Sequence, residues 1–119
     1  MDARKFEDIL IWQKAQNISL MIYKHFATNK DFGFKDQIQR AAISIMNNIA
    51  EGFERKGNKE FIKFLYIAKG SAGEVRSMLS IALELQYVSL PEYTSLHDQI
   101  VEISKMIGGL IKSLQSQPN

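Results

Sequence analysis

Apolar residues recur along this chain at steps of three and four from near its start to its end, and that spacing admits little besides helices. Ile11, Ala15, Ile18, Ile22 and Phe26 stand 4, 3, 4 and 4 positions apart. At 3.6 residues per turn such steps return to one side of an α-helix, whereas a half-buried strand needs strict alternation. Ile38, Ala42, Ile45, Ile49 and Phe53 repeat the same steps. Phe61, Leu65, Ala68, Ala72, Val75, Leu79 and Ala82 then alternate four and three, the seam of a heptad pattern. A last series, Tyr93, Leu96, Ile100, Ile103, Ile107, Leu110 and Leu114, runs almost to the C-terminus.

Between the stripes lie residues that stop and start helices. Thr28 to Gly33 is polar and holds Asn29, Asp31 and Gly33, so it reads as a loop. In Arg55-Lys56-Gly57-Asn58, Gly57 can take the left-handed conformation that ends one helix, and Asn58 can cap the next. Ser89 and Glu92 have capping-box spacing, Pro91 is tolerable in a first turn, and Val88 with Tyr93 suits a hydrophobic staple. Pro118 closes the last helix. The expectation is an all-α, antiparallel up-down-up-down four-helix bundle, a single domain over residues 1–119. Its helices fall at about 7–28, 34–54, 59–87 and 90–116, with boundaries good to roughly two to four residues.

Composition excludes several kinds of chemistry. The 119 residues include no Cys, so there is no disulfide framework, thiolate zinc site or cysteine nucleophile. The apolar runs, such as Ile9 to Trp12, are far short of the roughly 20 residues that span a membrane, and Met1-Asp2-Ala3-Arg4-Lys5 leads into no signal-peptide core. A soluble, cytoplasmic protein without membrane contact is expected. A di-metal bundle would want Glu-x-x-His repeats, but Ile22 and Thr94 stand three before His25 and His97. Both histidines read as surface or helix-end residues. Gly52, Gly57, Gly70 and Gly73 match neither the dinucleotide nor the P-loop spacing. Neither metal nor cofactor is expected. Trp12 reads as an anchor near the end of the bundle.

The third helix carries more apolar surface than one core uses. Phe61, Ile62, Phe64, Leu65, Tyr66, Ile67 and Ala68 surround its axis, and Leu20, Met21 and Tyr23 lie off the main stripe of the first helix. A helix apolar on two faces must bury both, and the second points to another subunit. Homo-oligomerisation follows as an expectation.

The formal charge of +2 is unevenly spread: residues 1–76 carry 13 Lys and Arg against 9 acids, residues 77–119 carry 2 against 4. The most basic window holds Arg55, Lys56, Lys59, Lys63 and Lys69 against Glu60 alone. Such a cluster can attract phosphates, although basic runs are more often solvated helix ends. A polar stripe, Arg40, Ser44, Asn48, Glu51 and Arg55, runs along the second helix, and Lys63, Ser71 and Glu74 line the third beside Gly70 and Gly73. Two readings compete: an anion or nucleotide pocket, or a hydrogen-bonded network fixing helix register, with the glycines allowing tight packing. The second is the more ordinary, since buried polar groups must pair whether or not they act. Glu51 and Glu74 could form a carboxylate pair, but basic neighbours make structural ion pairs simpler. No histidine shares register with Ser44 or Ser71, so no catalytic residue is assigned.

The block Arg40-Ala41-Ala42-Ile43-Ser44-Ile45-Met46-Asn47-Asn48-Ile49-Ala50-Glu51-Gly52-Phe53, followed by Arg55, resembles the signature of the bacterial four-helix-bundle proteins encoded in intervening sequences of 23S ribosomal RNA genes. Phe61, Phe64-Leu65, Ile67-Ala68, Gly70-Ser71 and Glu74, with Phe6-Glu7-Asp8, Trp12 and Ala15, extend the resemblance over about residues 6–115. It implies a ring-like homopentamer with no established enzymatic activity, in which Arg40, Ser44, Asn48, Glu51, Arg55, Ser71 and Glu74 are structural or interface residues. The accessory variability determinant of diversity-generating retroelements, a strongly basic nucleic-acid-binding pentamer, is similar to this family as well. Two departures stand out: the loop from Ala27 to Phe34 lacks the proline often seen there, and +2 is a modest charge beside those proteins. The expected function is a non-catalytic, homo-oligomeric accessory protein that associates with RNA or DNA through Arg55, Lys56, Lys59, Lys63 and Lys69. The alternative is a structural or protein-partner module without nucleic-acid binding. An enzyme built on the Arg40 to Glu51 stripe would require those side chains to line an open pocket.

Overall fold

The computed structural model describes residues 4–117. A 3₁₀ turn, Phe6–Asp8, leads into four α-helices: α1 (Leu10–Phe26), α2 (Phe32–Glu54), α3 (Gly57–Glu84) and α4 (Leu90–Gln115). They run up-down-up-down in a rod of 47 × 20 × 20 Å, each packing against the two beside it, with α1 and α4 the least tightly apposed. No strand occurs among the described residues. The sequence expectation of an all-α four-helix bundle is what the chain forms.

The stripes become the core. All seven residues of the α3 seam are buried, as are the five of α1 and the first four of α2. Burying each Ile or Leu side chain contributes about 1.5–3 kcal/mol, so the interlocking seams hold the rod together. Phe53, Tyr93 and Leu110 lie only half-buried against it. In α4 the inner position belongs to Ile111, so Ile103, Ile107 and Ile111 follow one another in two steps of four. A straight helix of 3.6 residues per turn drifts off a strict seven-residue repeat, and the extra step restores the face. Ser19, absent from the sequence reading, is also buried. Its Oγ lies 2.8 Å from the Ala15 carbonyl and 3.2 Å from that of Ala42, sharing one proton between α1 and α2.

Helix ends differ from expectation in three places. The first helix is split: Ile9 is extended (φ −81°, ψ 123°) and turns its side chain into the core, separating the 3₁₀ turn from α1. Trp12 packs edge-on against Phe6 at 5.2 Å and anchors that turn. The cap of α3 is Lys56, not Asn58, because Gly57 already takes φ 82° and starts the helix; Asn58 instead reaches Gln117 at 3.4 Å. The third helix ends at Glu84, earlier than expected, where Gln86 takes φ 63°. The Tyr87 N–H then bonds the Ala82 carbonyl at 2.8 Å and the Gln86 N–H bonds Leu83 at 3.0 Å, a Schellman motif built without glycine. The α4 capping box forms as expected: Glu92 accepts from the Ser89 N–H at 2.7 Å, and Ser89 Oγ accepts from the Glu92 N–H at 3.2 Å. Pro118 lies outside the described residues.

At the end holding the α1–α2 and α3–α4 turns, the Tyr87 hydroxyl donates to Asp31 at 2.7 Å, and Asp31 also caps α2 by accepting from the Phe34 N–H. The tyrosine hydroxyl and then that backbone N–H hold the Asp31 carboxyl below its usual value. His25 stands in the last turn of α1, as a helix-end residue, and is half-buried there, with Nε2 3.2 Å from the Tyr87 carbonyl and Nδ1 3.6 Å from Glu92. It links α1 to the α3–α4 turn.

Candidate nucleic-acid interface

The opposite end of the rod carries the basic turn, and its shape starts at Gly52. A Cβ there would sit 2.7 Å from the Cβ of Phe64 and 3.0 Å from a ring carbon of Phe61, so only glycine lets α2 and α3 meet this closely. The contact sets Arg55 over the Phe64 ring at 5.0 Å, while its guanidinium also bonds Glu51 at 3.2 Å. Lys56 has no capping side-chain bond, and Lys56, Lys59 and Lys63 are exposed and make no ion pair among the described residues. A cleft of about 190 Å³ lies between this turn and the end of α4, lined by Phe53, Arg55, Gly57, Asn58, Phe61, Leu114 and Gln117.

The five basic residues singled out in the sequence do not all sit at the turn. Arg55, Lys56, Lys59 and Lys63 gather at the turn, with Glu51, Glu54 and Glu60 among them. Lys69 lies further along α3 on the side facing α4, its Nζ 3.7 Å from where a Cβ on Gly108 would be.

The polar stripe does form a network between α2 and α3. Ser44 and Ser71 share a hydrogen bond of 2.9 Å, and Asn48 donates to the Ser44 carbonyl and hydroxyl at 2.8 and 3.0 Å. Arg40 turns away to Asp36 at 2.9 Å. Glu51 and Glu74 are not a pair: Glu74 accepts from Gln37 at 3.3 Å, and Gln37 lies about 21 Å along α2 from Glu51 at 1.5 Å per residue. The outward side of the stripe lines an open depression of about 350 Å³ formed by Tyr23, Arg40, Ile43, Ser44, Asn47, Asn48 and Glu51. Among the described residues the Ser44 hydroxyl bonds Asn48 and Ser71, and no histidine bonds it. Tyr23 and Ile43 carried the signal for this surface, each being apolar yet off its helix's stripe; Asn47 carried none.

The glycines of α3 behave differently from expectation. Nothing lies within 4 Å of a Cβ built on Gly70 or Gly73, so they admit no close neighbour within the chain. Among the described residues, no cluster of three or more His, Asp or Glu could hold a metal ion, and no helix is long and apolar enough to cross a membrane.

Comparison with known proteins places this geometry. No curated protein matches the chain. A crystal structure at 1.70 Å resolution of a protein of unknown function from the S23 ribosomal protein family, from Bacteroides thetaiotaomicron, superposes with a TM-score of 0.81 at 28% identity. The alignment covers 87% of this chain and 99% of that one. The family model described as 23S rRNA-intervening sequence protein matches residues 7–109, which include the glycine contact, the serine–asparagine network and the basic turn. Neither description names an enzyme. The chain belongs to the 23S rRNA-intervening sequence protein family.

Proposed function

We propose that this protein is a non-catalytic, cytoplasmic accessory subunit that assembles with copies of itself, as a pentameric ring, and binds RNA or DNA through the basic ends of its subunits. The observation carrying the reading is the exposed Lys56, Lys59 and Lys63 at the α2–α3 turn, which make no ion pair among the described residues. A ring repeats that charge with every subunit, turning a weak patch into a multivalent face.

Assembly is supported by the surface around the α2 stripe. Tyr23 on α1 and Ile43 on α2 line the depression; the exposed Leu20 stands three residues before Tyr23, and Ile67, 46% exposed, one turn before Ser71 on α3. The Arg40 to Glu51 stripe thus runs through an apolar surface, as it would at a subunit contact. An enzymatic reading of the same depression lacks a base for Ser44. Light scattering of the wild type should give an oligomer, and Ile67→Glu should shift it toward monomer; a wild-type monomer at micromolar concentration refutes assembly. Structured RNA should bind with affinity falling steeply as salt rises, and Lys59→Glu with Lys63→Glu should weaken it. Salt-independent binding, or none lost in that variant, refutes the nucleic-acid reading.

The protein-partner alternative draws on the engagement of Arg55 by Glu51 and Phe64, which leaves less free charge at the turn. A nuclease-resistant protein partner recovered alongside a variant-insensitive RNA measurement would favour it.

A further inference from the structure

The bundle assembles a second basic surface that no contiguous stretch of sequence shows. Tyr66 and Lys69 face α4: Gln115 Nε2 lies 3.5 Å from the Tyr66 hydroxyl, and Lys69 Nζ lies 3.7 Å from where a Cβ on Gly108 would be. Arg76 stands seven positions after Lys69 and Lys59 seven before Tyr66, on the same side of α3; Lys63 borders it. On α4, Lys105, Gly108, Lys112 and Gln115 stand at steps of three, four and three, one stripe fixed by the same two contacts. Lys59, Lys63, Lys69, Arg76, Lys105 and Lys112 are all exposed, and none makes an ion pair among the described residues. No acid occurs on the α3 stripe from Lys59 to Arg76, about 26 Å at 1.5 Å per residue, or on α4 from Lys105 to Gln115; Asp98 and Glu102 share a depression with Lys105 and bound the basic surface there.

Two further observations define what suits this surface. Its one exposed aromatic is Tyr66, and its hydroxyl meets Gln115. Single strands are held by bases stacking on successive aromatic side chains, a platform missing here. Two rows of cations flanking a shallow seam instead suit the phosphates of a double helix, contacted for position and shape rather than base identity.

We infer that the α3–α4 face, carrying Lys69, Arg76, Lys105 and Lys112 in continuity with Lys59 and Lys63, binds the phosphodiester backbone of a nucleic-acid double helix. This rests on the nucleic-acid reading proposed above and extends its footprint from the α2–α3 turn along the rod. The duplex is gripped by charge, so six neutralised phosphates would give log affinity a slope of about −5 against log salt.

The test is fluorescence anisotropy on the full chain with three labelled probes: an RNA stem, a DNA duplex and an unstructured single strand of matched length, each over a salt series. Lys105→Glu with Lys112→Glu should lower stem affinity at least about tenfold and flatten the slope by about 2. Lys69→Gln with Arg76→Gln should weaken binding in the same direction, with helical content and assembly size unchanged. Loss in Lys59→Glu/Lys63→Glu with wild-type binding in both α3–α4 variants overturns the extended footprint and leaves the turn as the site. A single strand bound as tightly as the stem overturns the duplex assignment. No salt-sensitive binding of any probe overturns both readings.

Discussion

Adding one methyl group at Gly52 should destabilise the protein, while the same change at Gly73 should stabilise it. Both glycines sit inside helices, where alanine is favoured by about 0.8–1 kcal/mol. At Gly73 that preference acts alone, since the new Cβ would have no atom within 4 Å. At Gly52 the Cβ would meet the Phe64 Cβ at 2.7 Å, and carbon atoms prefer about 3.5–4 Å. A Cβ cannot rotate out of the way, so α3 must move by most of an ångström and carry Phe61 with it. Overpacking of this kind costs about 2–3 kcal/mol, and subtracting the helix preference leaves a net loss of about 1–2 kcal/mol. Urea unfolding followed by the helical circular dichroism signal, at one protein concentration for all variants, measures both. The midpoint should fall for Gly52→Ala and rise for Gly73→Ala, with unchanged slopes. In thermal melts, each 1 kcal/mol should appear as about 4 °C. A Gly52→Ala protein as stable as wild type would mean that α2 and α3 are not held this close. The Arg55–Phe64 stacking derived from that approach would fall with it.

Other perturbations reach different parts of the fold. Gln86→Gly should raise stability by about 0.5–1 kcal/mol in the same unfolding assay, because φ 63° strains a residue with a Cβ at the end of α3. Ser89→Ala should lower it by about 1 kcal/mol through loss of the α4 cap. The Ser89 N–H holds the Glu92 carboxyl below its usual value, as Tyr87 and Phe34 do for Asp31. Both groups release protons more readily when folded, so their contribution is complete above the ordinary values of 4.5 and 3.8 and fades as pH falls through the lowered ones. Melts between neutral and acid pH should therefore show a loss below about pH 4 that Glu92→Gln and Asp31→Asn make shallower. Tyr87→Phe removes the partner from Asp31 and should weaken the same acid dependence.

The boundaries show why some features were legible and others not. The α4 cap could be read because Ser89, Pro91 and Glu92 carry their bonding geometry in their spacing. The end of α3 could not, because glutamine in the left-handed region has no sequence signal. It is held there by Tyr87 and Ala82. Asn58 had the chemistry of a cap, but Gly57 started the helix first.

The sequence by itself determined four helices, their order and most of their inner faces, because three-and-four spacing is a property of one helix's geometry and needs no neighbour. It also singled out the Ser44, Asn48 and Ser71 stripe, since polar residues on the flank of a seam must find partners. Which groups meet was decided only by folding. Glu51 and Glu74 part because each is drawn to a different neighbour, Arg55 and Gln37. Lys69 leaves the turn because helical rotation carries it round toward α4. Lys105 and Lys112 sit in the acidic third of the chain, yet antiparallel packing lays them beside Lys69 and Arg76. Charge along a chain adds by sequence, but the field a partner meets adds by distance, and distance is set by the fold.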